Sequence, residues 1–173
     1  MNILVTGADG FIGKNLIAEL KSKGKFEILK VTRNTTEKEL SEMCAKTNFV
    51  FHLAGVNRPK NEEEFYRGNR DFTSKLLLTL KKHNNHSPIV VSSSIQASLD
   101  NPYGESKRMG ENIVKEHALS TKSKALIYRL PNVFGKWTKP NYNSVVATFC
   151  HNISHDIPIT VNDPSVELNL VYI

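Results

Sequence analysis

The chain alternates short apolar runs with longer stretches of helical period, the pattern of strands joined by crossover helices. The candidate strands are NILVT (2–6), EILKVT (27–32), FVFHLA (49–54), PIVVSS (88–93) and ALIYRL (125–130). Between them lie four segments that read as helices. FIGKNLIAELKSK places Phe11, Ile12, Leu16, Ile17 and Leu20 on an apolar stripe, and TEKELSEMCAK opens with Thr36 and Glu39 at capping-box spacing. NEEEFYRGNRDFTSKLLLTLKKH follows, and PYGESKRMGENIVKEHAL begins after Asn101, a natural cap, with Pro102 in its first turn. Each segment is long enough to return the chain to the same edge and start a parallel strand. No internal repeat or linker-like composition interrupts the pattern, so the expected organisation is one domain over residues 1–173. The expected fold is α/β, a doubly wound Rossmann-type parallel sheet. Ligands of such sheets bind beyond the carboxyl ends of the strands.

Those strand ends carry the candidate chemistry. After the first strand comes TGADGFIG, with Gly7, Gly10 and Gly13 in GxxGxxG spacing and a helix directly behind. Glycines there let the backbone turn tightly against a pyrophosphate, whose charge is met by the amides and positive dipole end of the helix. Phe11 and Ile12, which open that helix, join the glycines as candidate cofactor contacts. The second strand ends KVTRN, with Arg33 where an NAD enzyme carries an acid for the ribose hydroxyls. A guanidinium at that place pairs with the extra phosphate of NADP, so NADPH is the expected cofactor. The third strand ends in Leu53, Ala54 and Gly55, small enough at Ala54 and Gly55 for close passage of the cofactor. His52 lies inside that apolar strand and reads as a hydrogen-bonded core histidine rather than a base. Asn69 reads equally as a residue reaching the loop above the sheet or as an ordinary exposed asparagine.

The fourth strand runs into SSSIQ, and Tyr103 and Lys107 follow at a spacing of four on one helical face. A phenol is a weak acid-base group at neutral pH unless a neighbouring cation favours its phenolate. Lys107 is the expected tuner, Tyr103 the proton donor to a carbonyl oxygen, and one serine the hydrogen-bond donor to that same oxygen. YxxxK alone recurs in unrelated chains; its coupling to the glycine turn and the serine run is what gives it weight.

Composition narrows the classes. The 173 residues are 39% hydrophobic and 23% charged, ample for a globular core. No run approaches a membrane span, and MNILVTG lacks a basic leader, so a cytoplasmic address is expected. The net charge of +6 comes from scattered lysines and arginines without an arginine-rich arm or interleaved aromatics, which argues against nucleic acid as partner. Cys44 and Cys150 lie far apart, without metal-ligand spacing, and are expected to be reduced and structural.

TGADGFIG, HLAG, SSS, YGESK and RLPNVFG occur in the order typical of the extended short-chain dehydrogenase/reductases that act on nucleotide sugars, and the chain resembles that family over almost its whole length. The resemblance implies Ser94 as the catalytic hydroxyl, Tyr103 as the acid-base residue, and Lys107 as the residue that lowers the tyrosine pKa and holds the nicotinamide ribose. It implies Asn132 as a contact to the sugar nucleotide's diphosphate. HLAGVNRP, SSSIQASLDNPYGESK and NVFGKWTKPNYNSVVATFCHNI are similar to the amino-terminal reductase half of bifunctional bacterial capsular-polysaccharide enzymes, which carry a cupin domain behind it. That likeness implies NADPH reduction of the 4-keto group of a UDP-linked 2-acetamido-2,6-dideoxy hexose. Asn143 becomes a substrate candidate, a helix cap being an equal account of it.

Eight residues separate Ser94 from Tyr103, fewer than is usual in the broad family, so a thin cover over the site is expected. The chain stops at ELNLVYI, so an incomplete substrate-binding part without a cupin is expected. An NAD-dependent epimerase or dehydratase would want an acid after the second strand, and a cofactor-binding module without activity would dispense with Tyr103 or Lys107. Family enzymes often form a homodimer through the YxxxK helix, although RMGENIVKEHAL is also polar enough to be solvated.

Overall fold

A computed structural model describes residues 1–173. Five strands build one sheet: β1 (Asn2–Thr6), β2 (Glu27–Val31), β3 (Phe49–His52), β4 (Ile89–Ser94) and β5 (Ala125–Leu130), in the order β2-β1-β3-β4-β5. β1 pairs in parallel with β2 and β3, and β3 in parallel with β4. The connections are α1 (Phe11–Ser22), α2 (Glu37–Lys46), then α3 (Glu63–Phe65) running through a π-helical segment (Tyr66–Asp71) into α4 (Phe72–Lys82), and α5 (Pro102–Thr121). The order reverses between β1 and β3, which makes the crevice above those two strands the natural ligand site.

The two-residue period of β1 divides the core. Ile3 and Val5 pack with Ile17 and Leu20 of α1, whereas Leu4 packs with Val50, Leu76, Leu80 and Val114 on the opposite face. A strand covered on both sides reads as a near-continuous apolar run, as the central β1 does, whereas β5 leaves Leu126 and Tyr128 exposed. Burial of each leucine such as Leu4, Leu76 or Leu80 contributes roughly 1.5–3 kcal/mol. The expected caps form as well. Thr36 and Glu39 make a reciprocal capping box on α2, and Asn101 Oδ1 accepts from the Gly104 N–H at 2.7 Å with Pro102 in the first turn of α5.

His52, 2% exposed, is held between two hydroxyls as expected for a core histidine. Thr6 Oγ1 accepts from the Leu53 and Ala54 N–H groups at 3.1 Å each, so its own proton goes to His52 Nδ1 at 2.8 Å. His52 Nε2 therefore carries the ring proton and donates to Thr73 Oγ1 at 2.8 Å, and Thr73 in turn donates to the Asn69 carbonyl at 2.6 Å. Burial, and secondarily the nearby Lys107 charge, pushes the His52 pKa down from 6.5 to about 3. The unfolded chain thus binds a proton that the folded one refuses between those values, and stability falls as pH drops from about 6.5 toward 3, with a limiting slope of about 1.4 kcal/mol per pH unit. Urea midpoints at pH 7 and pH 5 should differ for the wild type and differ less for His52→Gln. Equal pH dependence in the two proteins would contradict this account.

The chain forms two compact units, Met1–Arg129 and Leu130–Ile173. The second unit contains β6 (Asn132–Phe134), α6 (Val145–Ser154) and β7 (Leu170–Tyr172), with β6 and β7 parallel and the Phe134 and Tyr172 rings 5.5 Å apart, edge to face. Cys44 is fully buried in the sheet core, its thiol pushed up to about 12 by burial, as expected of a structural cysteine. Cys150 departs from that expectation, because it lies exposed on α6.

Candidate active site

The glycine turn sits at the reversal point. Gly7 adopts φ +66°, and a Cβ there would lie 2.8 Å from the Ala54 nitrogen and 2.9 Å from the Leu53 carbonyl carbon. The turn after β1 therefore touches the backbone that leaves β3, which brings the first glycine to Leu53, Ala54 and Gly55. A Cβ on Gly13 would lie 2.2 Å from the Gly7 oxygen, so Gly13 is what lets α1 start this close to its strand. Gly10 caps α1 without any side-chain hydrogen bond, and no acid occupies the first turn, where Phe11 and Ile12 stand half-buried. The uncapped amides and the positive helix end form a cradle that fits a diphosphate.

Arg33 is exposed just past β2. The nearest downstream acids are committed elsewhere: Glu37 pairs with Lys75, and Glu39 closes the capping box on Thr36. No carboxylate is thus left at the end of β2 to hold a ribose diol.

The loop after β3 is pinned by Asn69, which is 4% exposed and so is not the surface asparagine that the sequence left open. Its Oδ1 accepts from the Val56 N–H at 2.9 Å, while Nδ2 donates to the Val56 carbonyl and to Ser106 Oγ, each at 2.9 Å. The π-helical turn supplies the close approach, because a Cβ on Gly68 would strike Val56 Cγ2 at 2.3 Å. A Cβ on Gly55 would lie 2.9 Å from Asn69 Oδ1 and 3.4 Å from Lys107 Nζ, so backbone passes directly beside the ammonium.

β4 delivers the serines and α5 the tyrosine and lysine. Ser94 Oγ accepts from the Gln96 N–H at 3.2 Å and lies close enough to the Tyr103 phenol to pull its pKa down. The Tyr103 ring rests against Phe65, centroids 5.5 Å apart. The eight-residue connection is a 3-10 turn (Ile95–Ser98) followed by the cap, drawn tightly onto α5 because Gly104 has no Cβ to meet the Gln96 carbonyl. Arg108 ties the same connection down by donating to the Ala97 and Leu99 carbonyls at 3.1 and 2.9 Å.

Lys107 Nζ donates to the Ser92 carbonyl at 2.8 Å. Burial lowers its pKa to about 8, against an upward pull from Glu111. The expected depression of the Tyr103 pKa by Lys107 is not found in the chain alone. Burial raises the phenol, the Ser94 hydroxyl offsets only part of that, and the ammonium is turned to a backbone carbonyl.

Behind this group lies a cluster that the sequence reading passed over. Glu111, 3% exposed, takes Arg129 in a two-point grip at 2.9 and 2.7 Å and also accepts from Ser93 Oγ at 2.5 Å. Burial alone would raise its carboxyl, but the hydrogen bonds from Arg129 and Ser93 hold it below the usual range. The available signal was spacing, since Glu111 follows Lys107 by four positions. Its partner Arg129 is 18 residues away and only the sheet brings them together.

In the second unit, Asn132 is exposed on β6, its N–H bonded to the Asn169 carbonyl at 3.2 Å. Asn143 is exposed and is not the cap of α6: Ser144 takes that role by accepting from the Ala147 N–H.

A doubly wound sheet with a bare glycine turn at its reversal point is the architecture of Rossmann-type dinucleotide-binding proteins. The chain belongs to the NAD dependent epimerase/dehydratase family, whose profile matches residues 3–172, in agreement with the resemblance read from the sequence. Over all 173 residues it is 49% identical to the UDP-2-acetamido-2,6-beta-L-arabino-hexul-4-ose reductase of Pseudomonas aeruginosa, covering 100% of this chain and 46% of that protein. The crystal structure of the capsular polysaccharide assembling protein CapF from Staphylococcus aureus matches with a TM-score of 0.88 at 50% identity, over 99% of this chain and 47% of that one. A UDP-glucuronic acid 4-epimerase from Bacillus cereus, solved with UDP-glucuronic acid and NAD, matches with a TM-score of 0.85 at 20% identity, over 99% and 69% of the two chains, a likeness of fold alone. The chain spans about half the length of the reductase and of CapF. No helix is long and apolar enough to cross a membrane.

Proposed function

We propose that this chain reduces, with NADPH, the 4-keto group of a UDP-linked 2-acetamido-2,6-dideoxy-4-keto-hexose in the synthesis of a capsular polysaccharide precursor. The observation that carries the proposal is the placement of Ser94 at the end of β4 beside Tyr103 and Lys107 in the opening turns of α5, in a chain 49% identical along its length to a UDP-4-keto-sugar reductase. NADPH supplies the hydride to the carbonyl carbon. Tyr103 donates its proton to the carbonyl oxygen, and Ser94 donates a hydrogen bond to the same oxygen as negative charge develops there. Lys107 holds the nicotinamide ribose, and the glycine turn with the amides of Phe11 and Ile12 holds the diphosphate. Asn132 and Asn143 are the proposed contacts to the sugar nucleotide. An epimerase or dehydratase retaining NAD is disfavoured because Arg33 rather than an acid follows β2 and no acidic residue stands beside the serines in SSIQAS.

Titration of the purified chain with NADPH and with NADH, followed by nicotinamide fluorescence, tests the cofactor site, and NADPH oxidation in the presence of the keto sugar tests the reaction. Preference for NADH, or absence of keto-sugar turnover in a chain that binds NADPH, would overturn the reading. Arg33→Ala is expected to weaken NADPH binding by about tenfold or more, because hydrogen bonds to a charged group are worth about 1.5–3 kcal/mol. NADH binding should barely change. A matching loss for both cofactors would show that Arg33 does not meet the extra phosphate.

A further inference from the structure

The Ser93–Glu111–Arg129 cluster has no part in proton donation or cofactor grip as described above, yet it lies directly behind both. Glu111 and Lys107 are one turn apart on α5 and line the same narrow crevice, together with His52, Asn69, Thr73 and Ser92. From the elements packed around Lys107, β3 presents a neutral His52, β4 the Ser92 carbonyl, and the π-helical segment and α4 the uncharged Asn69 and Thr73. On α5 itself the neighbours are Tyr103 and Glu111. Glu111 is the one carboxylate among them.

Its carboxylate cannot wander. Arg129 on β5 grips both oxygens, and Ser93, the residue between Ser92, whose carbonyl holds Lys107, and Ser94, bonds one of them. Arg129 also donates to Ser98 Oγ at 3.0 Å and so reaches the short connection between Ser94 and Tyr103. One buried carboxylate thereby ties together the end of β4, the connection, α5 and β5.

We propose that Glu111 is a positioning residue: clamped by Arg129 and Ser93, it is the counter-charge that keeps Lys107 an ammonium beside Gly55, and the anchor that holds Ser94 in register with Tyr103. The arrangement reconciles burial of Lys107 with its role, since desolvation disfavours a buried cation, and an opposite charge nearby favours it beyond what the single bond to the Ser92 carbonyl supplies. It rests on the reductase reading for its catalytic consequence alone; the ionisation of Lys107 is independent of any substrate.

The test is the titration of Lys107, followed by NMR of the labelled lysine side chain and assigned with Lys107→Arg. The wild-type midpoint is expected at about 8, and Glu111→Gln, which keeps the shape and removes the charge, should lower it by about one unit. The double variant Glu111→Gln with Arg129→Gln also removes the half-exposed guanidinium that the single variant leaves without its carboxylate, and decides the matter where the single variant does not fold; its Lys107 midpoint should fall too. In turnover, the alkaline limb of the kcat profile should move to lower pH by the same amount, with KM for NADPH changed far less. An unchanged Lys107 midpoint in a folded variant would overturn the proposal and leave Glu111 as a purely structural tie. Failure to turn over keto sugar, with the Lys107 shift intact, would instead count against the reductase reading.

Discussion

Tyr103→Phe loses ketone reduction by about 10²–10⁴-fold, the usual contribution of a positioned general acid, while NADPH affinity stays nearly unchanged. The substitution takes away only the hydroxyl. The ring keeps its place against Phe65, Gly104 keeps the start of α5 on the 3-10 turn, and Lys107 keeps its bond to the Ser92 carbonyl. The glycine turn lies on a different strand end and does not sense the change. Single-turnover NADPH oxidation with the keto sugar, set beside a fluorescence titration of the cofactor, separates the two effects. Undiminished turnover in the phenylalanine protein would remove Tyr103 from the reaction.

Gly7→Ala is expected to abolish NADPH binding and to lower stability together. A residue with a Cβ pays about 1–2 kcal/mol for the left-handed backbone that Gly7 adopts at φ +66°. The added methyl would also press on the Ala54 nitrogen and the Leu53 carbonyl carbon, which are backbone atoms and cannot rotate away. Relief requires moving the turn off β3, and with it the uncapped amides proposed to hold the diphosphate. For a chain of this size the backbone cost alone corresponds to a thermal midpoint lower by roughly 2–8 °C. An alanine protein with wild-type cofactor affinity would show that the turn is not the phosphate cradle.

Strand positions were legible because their apolar runs are short and bounded, and the central strands β1 and β4 leave none of their residues exposed. The exceptions have local causes. β3 ends at His52, two residues short of the FVFHLA run, because the Leu53 and Ala54 N–H groups bond the Thr6 hydroxyl instead of a neighbouring strand. The third helix reads as one continuous pattern, yet it carries a π-helical turn at Tyr66–Asp71, where Gly68 admits Val56 and Asn69 turns inward. Neither contact has a sequence period. Beyond Leu130, α6 has no fully buried residue and β6 and β7 are three residues each, too little for a periodic signal.

The candidate site divides along the same line. Motif spacing within one segment identified the glycine turn, the serine run, Tyr103 and Lys107, because residues three or four apart on a helix, or at the junction of strand and helix, keep their relation wherever the segment packs. The sequence by itself thus determined the fold class and the local groups. Tertiary structure alone decided how those groups are wired: that Lys107 faces the Ser92 carbonyl, that Asn69 holds the loop after β3, and that Arg129 reaches Glu111 across 18 residues. These are pairings between segments whose distance in the chain carries no information about distance in space. They set the desolvation and charge that shift each pKa, which is why the ionisation of the site could not be read before the sheet was assembled.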